Sequence, residues 1–202
     1  MLNWARRGRG SVDALNEDWS ITRDWLNEDQ QNAVQHVLKS PDRVLMIRGG
    51  AGTGKTSLMR ETVDGIEANG RRVFTFAPSA EASRGVLAKE GFDATTVAEL
   101  LVNQDLQSEL EGNAIWIDEA GLLGTRTLKK VMDIADEKNA RLILSGDWRQ
   151  HGSVEAGAAM RLLEQQGGIT PAIVRKIQRQ DGSYREAVAL LAEGKTDEGF
   201  SA

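Results

Sequence analysis

The chain contains no cysteine, which excludes disulfide bonds, zinc sites built from thiolates and catalysis by a thiol. A protein without cysteine suits a reducing compartment, and we therefore expect a cytoplasmic location. The 202 residues also lack an apolar run of about 18 residues, so no transmembrane helix and no membrane insertion are expected. The first nine residues are basic but lack an apolar stretch, so they do not resemble a secretory signal.

The chain also has no excess of positive charge, since its formal net charge is −5. Proteins whose whole surface binds nucleic acid are usually basic, so this value argues against a general DNA-coating role. It does not exclude a local basic groove. Histidine is scarce too: His36 and His151 have no second histidine or cysteine nearby, and we interpret both as structural or surface residues.

Short apolar runs alternate with helical patterns along most of the chain. This alternation predicts an α/β fold with a mostly parallel sheet that is covered by helices on both faces. The predicted strands lie at 44–47, 73–76, 115–117 and 142–144. The predicted helices lie at 28–39, with Asn27 as its N-cap, and near 55–69, 79–90, 125–138, 155–165 and 183–193.

The first 25 residues are polar and carry three tryptophans, Trp4, Trp19 and Trp25. Tryptophans spaced so closely favour a leader that docks on the main domain, although a disordered leader is the alternative. We divide the remainder into a P-loop domain at 26–170 and a segment at 171–202.

The segment GGAGTGKT follows an apolar strand and fits the phosphate-binding pattern G-x-x-x-x-G-K-[S/T]. Glycines allow the backbone to turn so that successive N–H groups face phosphates, and the following helix adds its positive N-terminal end. We expect Lys55 to reach the β- and γ-phosphates of ATP and Thr56 to ligate Mg²⁺. The predicted nucleotide-binding residues of this segment are Gly49, Gly50, Ala51, Gly52, Thr53, Gly54, Lys55, Thr56 and Ser57.

An acidic pair, Asp118 and Glu119, follows the predicted strand at 115–117. In P-loop proteins an Asp at this strand end holds the metal ion, and a neighbouring Glu can orient and deprotonate the attacking water. Two solvated carboxylates are the alternative, but the upstream phosphate loop favours the catalytic interpretation. A Glu directly after the Asp favours a nucleoside triphosphatase over a small-molecule kinase.

A further strand ends at Ser145 and is followed by Gly146, Asp147 and, slightly later, Gln150. Gln150 is a candidate to hydrogen-bond the γ-phosphate or the attacking water, although a Gly-Asp turn after a strand is ordinary turn chemistry. Trp148 is a candidate to stack on a nucleic-acid base, but packing against the domain or a neighbour is favoured two to one.

In this order and spacing, these segments resemble superfamily 1 helicases of the RecD-like branch, and most closely the helicase part of conjugative relaxases of the TraI/TrwC (MobF) type. The resemblance runs from about Leu26 to Phe200 and implies a RecA-like three-layer sandwich. LNEDQQNAV resembles the Q-motif, which implies that Gln30 contacts adenine. SGDWRQHGSVEAG resembles motif III, and VRKIQRQ resembles motif IV, which implies that Arg179 contacts phosphate during catalysis.

The segments FAPSAEA and ATTVAELL resemble motifs Ia and Ib, which touch single-stranded DNA in this family. The resemblance therefore implies DNA contacts by Pro78, Ser79, Thr95 and Thr96. Arg84 and Lys89 are positive charges nearby that suit DNA phosphates, with a solvated helix face as an equal alternative.

The sequence departs from the family in two respects. The chain ends at Ala202 without motifs V and VI, so we expect a second RecA-like domain or other relaxosome proteins as partners. A relaxase nickase needs a tyrosine nucleophile and three metal-binding histidines, whereas Tyr184 is the single tyrosine and lies in a predicted helix. DNA nicking is therefore not predicted.

The favoured function is that of an ATP-binding and ATP-hydrolysing motor domain, which couples turnover to movement on single-stranded DNA in conjugative transfer. The alternative is a truncated ATP- and DNA-binding module of a relaxase complex that does not unwind DNA. We expect this chain alone to hydrolyse ATP slowly and not to unwind a duplex. A P-loop kinase is the least favoured interpretation, because it leaves the helicase motifs unexplained.

Overall fold

A computed structural model describes residues 1–50, 52–150 and 158–175, apart from the side chain of Gln150. Its centre is a six-stranded sheet in which every neighbouring pair of strands is parallel. The strands are β1 (Val44–Gly49), β2 (Val73–Ala77), β3 (Ala94–Thr96), β4 (Ala114–Ile117), β5 (Arg141–Gly146) and β6 (Ala172–Val174). Their order across the sheet is β3-β2-β4-β5-β1-β6.

Seven α-helices accompany the strands in the described part of the chain. They are α1 (Leu2–Arg7), α2 (Glu28–Lys39), α3 (Lys55–Ala68), α4 (Val97–Val102), α5 (Gln104–Glu109), α6 (Thr125–Glu137) and α7 (Ala158–Gln165). Two short 3₁₀ turns lie at Ala120–Leu122 and Trp148–Gln150, and a π-helical segment lies at Glu81–Leu87. None of the helices in these ranges has the length and apolar character needed to cross a membrane.

The central strands are buried on both faces, which explains why the sequence shows them as continuous apolar runs. Along β1, Val44 and Met46 belong to one core, and Leu45 and Ile47 belong to the other. Side chains of α4, α6 and α7 complete the first core, whereas α2, α3 and the π-helical segment complete the second. The predicted fold class, a P-loop sandwich with helices on both faces, is confirmed.

The helix α2 begins and ends where the sequence predicted. Its N-cap is Asn27, whose Oδ1 accepts a hydrogen bond from the backbone N–H of Gln30 at 3.1 Å. The side-chain Oε1 of Gln30 accepts in return from the backbone N–H of Asn27 at 3.0 Å, which completes a capping box. The Q-motif segment is therefore fixed at its start by local hydrogen bonds.

All four predicted strands are present, and each extends one to three residues beyond the predicted bounds. The predicted helix at 79–90 is wrong in type, because its regular part is the π-helical segment Glu81–Leu87. Five elements were not predicted from the sequence, and each has only three to six residues: β3, β6, α1, α4 and α5. Elements this short fall below the about 11–18 residues for a helix, or the about 4–8 residues for a strand, over which an apolar period can be recognised. The predicted helix at 183–193 lies outside the described residues.

The leader at 1–25 packs against the rest of the molecule. Trp4 packs against the first core and Trp19 against the second, whereas the Trp25 side chain is 62% exposed. Leu15 is fully buried, and Arg6 of α1 donates two hydrogen bonds to the backbone carbonyl of Gln166 at 2.9 and 2.6 Å. Of the two interpretations of this segment, the structure shows the docked one.

Glu61 of α3 is the polar anchor of the leader, and its side chain is fully buried. The carboxylate accepts hydrogen bonds from the Trp19 indole at 2.9 Å and from the Thr22 backbone N–H at 2.7 Å. It also accepts from the Thr22 hydroxyl at 3.0 Å and forms an ion pair with Arg23 at 2.7 Å. Four donors from one short stretch of the leader therefore satisfy a single carboxylate.

The same contacts set the ionisation of Glu61. Burial by itself raises the pKa of a carboxyl group, but the hydrogen bonds from Thr22, Arg23 and Trp19 outweigh burial and lower the pKa of Glu61 below its usual value. The contribution of the ionised carboxylate to stability is therefore complete above the unfolded-state pKa of about 4.3 and is lost as the pH falls through the lower folded-state pKa.

We expect Glu61→Gln to lower the free energy of unfolding by about 3 kcal/mol at pH 7, because the buried donors of Trp19 and Thr22 lose their charged acceptor and Arg23 keeps only its partly exposed pair with Asp64. The loss relative to wild type should shrink as the pH falls below about 4, where wild-type Glu61 also becomes protonated. Urea denaturation at pH 7 and at pH 3 measures both effects.

Glu67→Gln is the matched control, since Glu67 lies on the same helix but is exposed. It should change the free energy of unfolding by less than about 0.5 kcal/mol. Equal losses in the two variants would show that the leader is not anchored through Glu61.

Candidate functional site

The carboxyl ends of three neighbouring strands, β4, β5 and β1, meet at one edge of the sheet. The phosphate loop follows β1, the acidic pair follows β4 and the Gly-Asp turn follows β5. In open parallel sheets, ligands bind in the crevice outside the carboxyl ends of the strands. The topology therefore brings the three predicted parts of the site together.

Two glycines of the phosphate loop have a left-handed backbone. The φ angle of Gly52 is +77° and that of Gly54 is +76°, in the region where residues with a Cβ are strained. Gly54 is also the N-cap residue of α3, and no side chain caps the helix there. No side chain therefore satisfies the first N–H groups of α3, which face the phosphate loop as in anion sites at helix N-termini.

Lys55, the first residue of α3, points back into the loop. Its Nζ donates hydrogen bonds to the carbonyls of Gly49 at 2.9 Å and Gly50 at 3.0 Å. The same Nζ lies 3.7 Å from Oε1 of Glu119, which follows β4. The ammonium group of the phosphate loop and the carboxylate of the acidic pair therefore face each other across the end of β5.

Gln30 supports the phosphate loop from the Q-motif helix. Its buried side chain donates from Nε2 to the carbonyls of Thr53 and Gly54, both at 3.2 Å, while its Oε1 serves the capping box. In this arrangement the amide holds the backbone of the loop just before Lys55. Its predicted contact with adenine stays a prediction.

The two acidic residues are held differently. Asp118 Oδ1 accepts a hydrogen bond of 2.7 Å from the hydroxyl of Ser145, and this hydroxyl oxygen accepts a bond of 2.9 Å from the indole of Trp116. Glu119 has a left-handed backbone with φ of +51°, which is unusual for a residue with a long side chain. Backbone strain of this kind clusters at functional sites, and the Glu119 carboxylate lies 3.7 Å from the Lys55 ammonium.

The donors at this edge fit a magnesium ion that is shared with a phosphate ligand. Magnesium prefers oxygen and is usually bound by one or two protein groups together with substrate phosphates and water. Thr56 offers a hydroxyl in the first turn of α3, and Asp118 offers a carboxylate whose second oxygen is not engaged by Ser145. The described residues contain no group of three or more His, Cys, Asp or Glu side chains placed to hold a metal by themselves.

The turn after β5 packs directly on the acidic pair. Gly146 has φ of +147°, and a Cβ there would lie 3.2 Å from the backbone nitrogens of Ala120 and Gly121. Only glycine allows this approach of β5 to the turn that follows Glu119. Gln150 ends the 3₁₀ turn Trp148–Gln150, and its predicted contact with phosphate or water stays a prediction.

An ion pair that the sequence did not predict lies beside the phosphate loop, with its arginine buried and its glutamate partly buried. Arg48, the penultimate residue of β1, pairs with Glu164 of α7, and the other oxygen of Glu164 accepts a bond of 2.8 Å from the Trp148 indole. Trp148 packs partly buried against the first core, in agreement with the favoured packing interpretation. The sequence did contain an indication of this pair, because Arg48 lies within an otherwise apolar strand. A charged residue at such a position is usually paired with a residue of opposite charge.

The four predicted DNA-binding residues lie on neighbouring strands. Pro78 and Ser79 follow β2, and Thr95 and Thr96 belong to β3, which pairs with β2 through Phe76 opposite Thr95 and Ala77 opposite Thr96. Two of their hydroxyl groups accept hydrogen bonds from backbone N–H groups. Ser79 accepts from Ala82 and Thr96 accepts from Glu99, each at 3.1 Å. Their contact with DNA stays a prediction. Arg179 and Ala51 lie outside the described residues.

Residues 25–202 match the AAA domain family. The chain belongs to this family. The chain is 30% identical to the conjugal transfer protein TraA of Rhizobium radiobacter over 98% of this chain and 18% of TraA. It is 27% identical to the ATP-dependent RecD2 DNA helicase of Deinococcus radiodurans over 75% of this chain and 22% of that helicase.

The AAA domain also shares its fold with the Pif1 protein of Bacteroides sp, which was solved in complex with ADP-AlF4. The TM-score is 0.56 at 17% sequence identity, over 83% of this chain and 45% of Pif1. The predicted resemblance to RecD-like helicases and conjugative relaxases is thereby confirmed. The chain spans less than a quarter of the length of TraA and of RecD2.

We expect Glu164→Ala to lower the free energy of unfolding of the AAA domain by about 3 kcal/mol, because it leaves the buried charge of Arg48 without a partner. Urea denaturation measures the loss. Glu109→Ala is the matched control, because its pair with Arg72 is exposed on both sides and should contribute less than about 1 kcal/mol. A loss in Glu164→Ala no greater than that of the control would contradict a structural role for the pair of Arg48 with Glu164.

Proposed function

We propose that this AAA domain binds ATP with Mg²⁺ at the carboxyl edge of the sheet and hydrolyses it. The observation that supports this most strongly is the distance of 3.7 Å between the Lys55 ammonium and the Glu119 carboxylate. These groups come from two motifs that lie more than 60 residues apart in the sequence. Their juxtaposition is what phosphoryl transfer to water requires: a cation for the phosphates beside a base for the water.

Each residue then has a distinct task. Lys55 and the uncapped N–H groups at the start of α3 bind the β- and γ-phosphates. Thr56 and Asp118 would hold the metal, which would neutralise negative charge on the phosphate oxygens. Ser145 fixes the orientation of Asp118 through its bond of 2.7 Å. Glu119 orients the attacking water and accepts its proton.

We further propose that ATP turnover moves the domain along single-stranded DNA in conjugative transfer. The DNA would cross the ends of β2 and β3, where Pro78, Ser79, Thr95 and Thr96 lie together. This rests on the similarity to TraA, a conjugal transfer protein, and to RecD2, a DNA helicase. Arg84 in the π-helical segment that follows β2 and Lys89 just after it are exposed, and they would supply positive charge for the DNA phosphates.

Other parts of the proposal concern the neighbours of the domain. We propose that a second RecA-like domain, or another relaxosome protein, closes over the nucleotide and that Arg179 contributes to the closed site. We also propose a cytoplasmic location. The division into a leader at 1–25, an ATPase unit at 26–170 and a motif IV segment at 171–202 belongs to the same proposal.

We expect Lys55→Ala to weaken ATP binding by about tenfold to a hundredfold, because it removes charged hydrogen bonds to phosphate. Glu119→Gln should leave ATP binding nearly unchanged and reduce turnover by at least about a hundredfold, since only the base is lost. Titration calorimetry measures binding, and phosphate release with Mg²⁺ and single-stranded DNA measures turnover.

Lys129→Ala is the control for the lysine change, because Lys129 is exposed on α6 and pairs only with Asp133 in the described structure. It should leave both measurements unchanged. ATP binding that survives in Lys55→Ala would remove the basis of the proposal. Binding without any turnover, even with DNA present, would favour the alternative of a DNA-binding module that does not act as a motor.

We expect Arg84→Ala to weaken binding of single-stranded DNA and to reduce the slope of log affinity against log salt by about 0.7, the value for one phosphate contact. Fluorescence anisotropy with a labelled oligonucleotide at several salt concentrations measures both quantities. Arg126→Ala is the matched control, because Arg126 is exposed on α6, which packs on the opposite face of the sheet from the π-helical segment. Identical slopes for the two variants would place the DNA elsewhere.

A further inference from the structure

The amino-terminal edge of the sheet, opposite the phosphate loop, carries a second pocket with a volume of about 390 Å³. Three arginines line it: Arg43 precedes β1, Arg71 lies shortly before β2 and Arg141 is the first residue of β5. Ser11 and Asp13 of the leader form part of its wall. Asp13 is the single acidic residue among the lining residues, so the pocket carries an excess of positive charge.

Arg141 lies deepest, with 4% of its surface exposed. Its guanidinium donates to the backbone carbonyls of Asp13 at 2.7 Å and Ser40 at 2.9 Å. Its Nε finds no hydrogen-bond acceptor among the described residues. Both of its partners are neutral carbonyls, so they satisfy individual N–H groups without compensating the charge.

The other two arginines do not supply a counter-charge either. Arg43 donates to the side-chain oxygen of Asn139 at 3.0 Å, and Arg71 makes a long contact of 3.5 Å with the carbonyl of Ala14. Across the described ranges, none of the three guanidinium groups forms an ion pair with a carboxylate. Three positive charges therefore converge on one pocket without direct acidic partners.

This arrangement is costly for the protein by itself. Burial, together with the neighbouring charges of Arg71 and Arg43, lowers the pKa of Arg141 to about 10, although Asp42 opposes the change. A buried arginine is normally paired with a carboxylate, because an uncompensated charge in the interior is strongly destabilising. An anion bound in the pocket would provide the missing compensation.

We propose that this pocket is a binding site for a phosphate group, carried either by free phosphate or by a mononucleotide. Guanidinium groups bind phosphate oxygens through pairs of parallel hydrogen bonds, which makes arginine the preferred residue for this purpose. The volume lies within the range of small-molecule sites. Because the leader forms one wall, a bound phosphate would also hold the leader against the sheet.

The test uses the 202-residue chain with Lys55→Ala, which weakens phosphate binding at the carboxyl edge of the sheet. Thermal unfolding is followed with inorganic phosphate, with deoxythymidine monophosphate and with sodium chloride at matched ionic strength. We expect the midpoint temperature of unfolding to be higher with either phosphate compound than with sodium chloride, because a ligand that binds only the folded state stabilises it. Equal midpoints in all three solutions would overturn the proposal.

Arginine variants in the same background locate the effect. Arg71→Ala should weaken phosphate binding by about tenfold or more in titration calorimetry, since it removes a charged hydrogen-bond donor. Arg72→Ala is the matched control, because Arg72 is the next residue but is exposed and pairs with Glu109 outside the pocket. If both variants bind phosphate as tightly as the background protein, the pocket is not the site.

Arg71→Glu tests the same pocket with a substitution that is not expected to destabilise the fold. The introduced carboxylate would supply negative charge beside Arg141, so the midpoint in chloride should not fall, and the phosphate effect should disappear. Retention of the full phosphate effect would contradict the proposal. A larger shift with the mononucleotide than with phosphate would identify a nucleotide as the ligand, and equal shifts would identify phosphate itself.

Discussion

The parallel arrangement of β4, β5 and β1 is the constraint on which the functional site depends. Lys55 and Glu119 lie on different motifs, and their charged atoms approach to 3.7 Å because both strands end at the same edge of one sheet. Two features make this possible: the strands are buried on both faces, and the chain crosses the sheet between β1 and β4 through helices. Any change that shifted the register of these strands would separate the cation from the base.

Side chains behind the site hold the phosphate loop and the acidic pair in place. Gln30 holds the carbonyls of Thr53 and Gly54, and Ser145 holds Asp118. Both supports come from neighbouring elements, so the geometry of the loop and of the acidic pair depends on the packing of α2 and β5. Preorganised donors and acceptors of this kind avoid a reorganisation cost during reaction, which is the main electrostatic contribution of an enzyme.

The sequence predicted the positions of the phosphate loop and the acidic pair, because these motifs combine fixed residue types with strong local patterns. The loop before Lys55 and the pair Asp118–Glu119 could be placed, since each follows a long apolar strand. It did not predict β3 and β6, whose three residues carry no pattern of their own and form by pairing with longer strands. It also missed the ion pair of Arg48 with Glu164, because partners 116 residues apart in sequence are joined only by the tertiary structure.

The leader shows how the two edges of the sheet are physically connected. At one end, Trp19, Thr22 and Arg23 bind Glu61, which belongs to the same helix whose first turn carries Lys55. At the other end, α1 contacts the segment after α7, the helix that supplies Glu164 to Arg48 beside the phosphate loop. Between these anchors the leader runs past the arginine pocket and contributes the Asp13 carbonyl to Arg141. The leader therefore contacts both helices that flank the nucleotide site, so displacing it would weaken the packing of α3 and of α7.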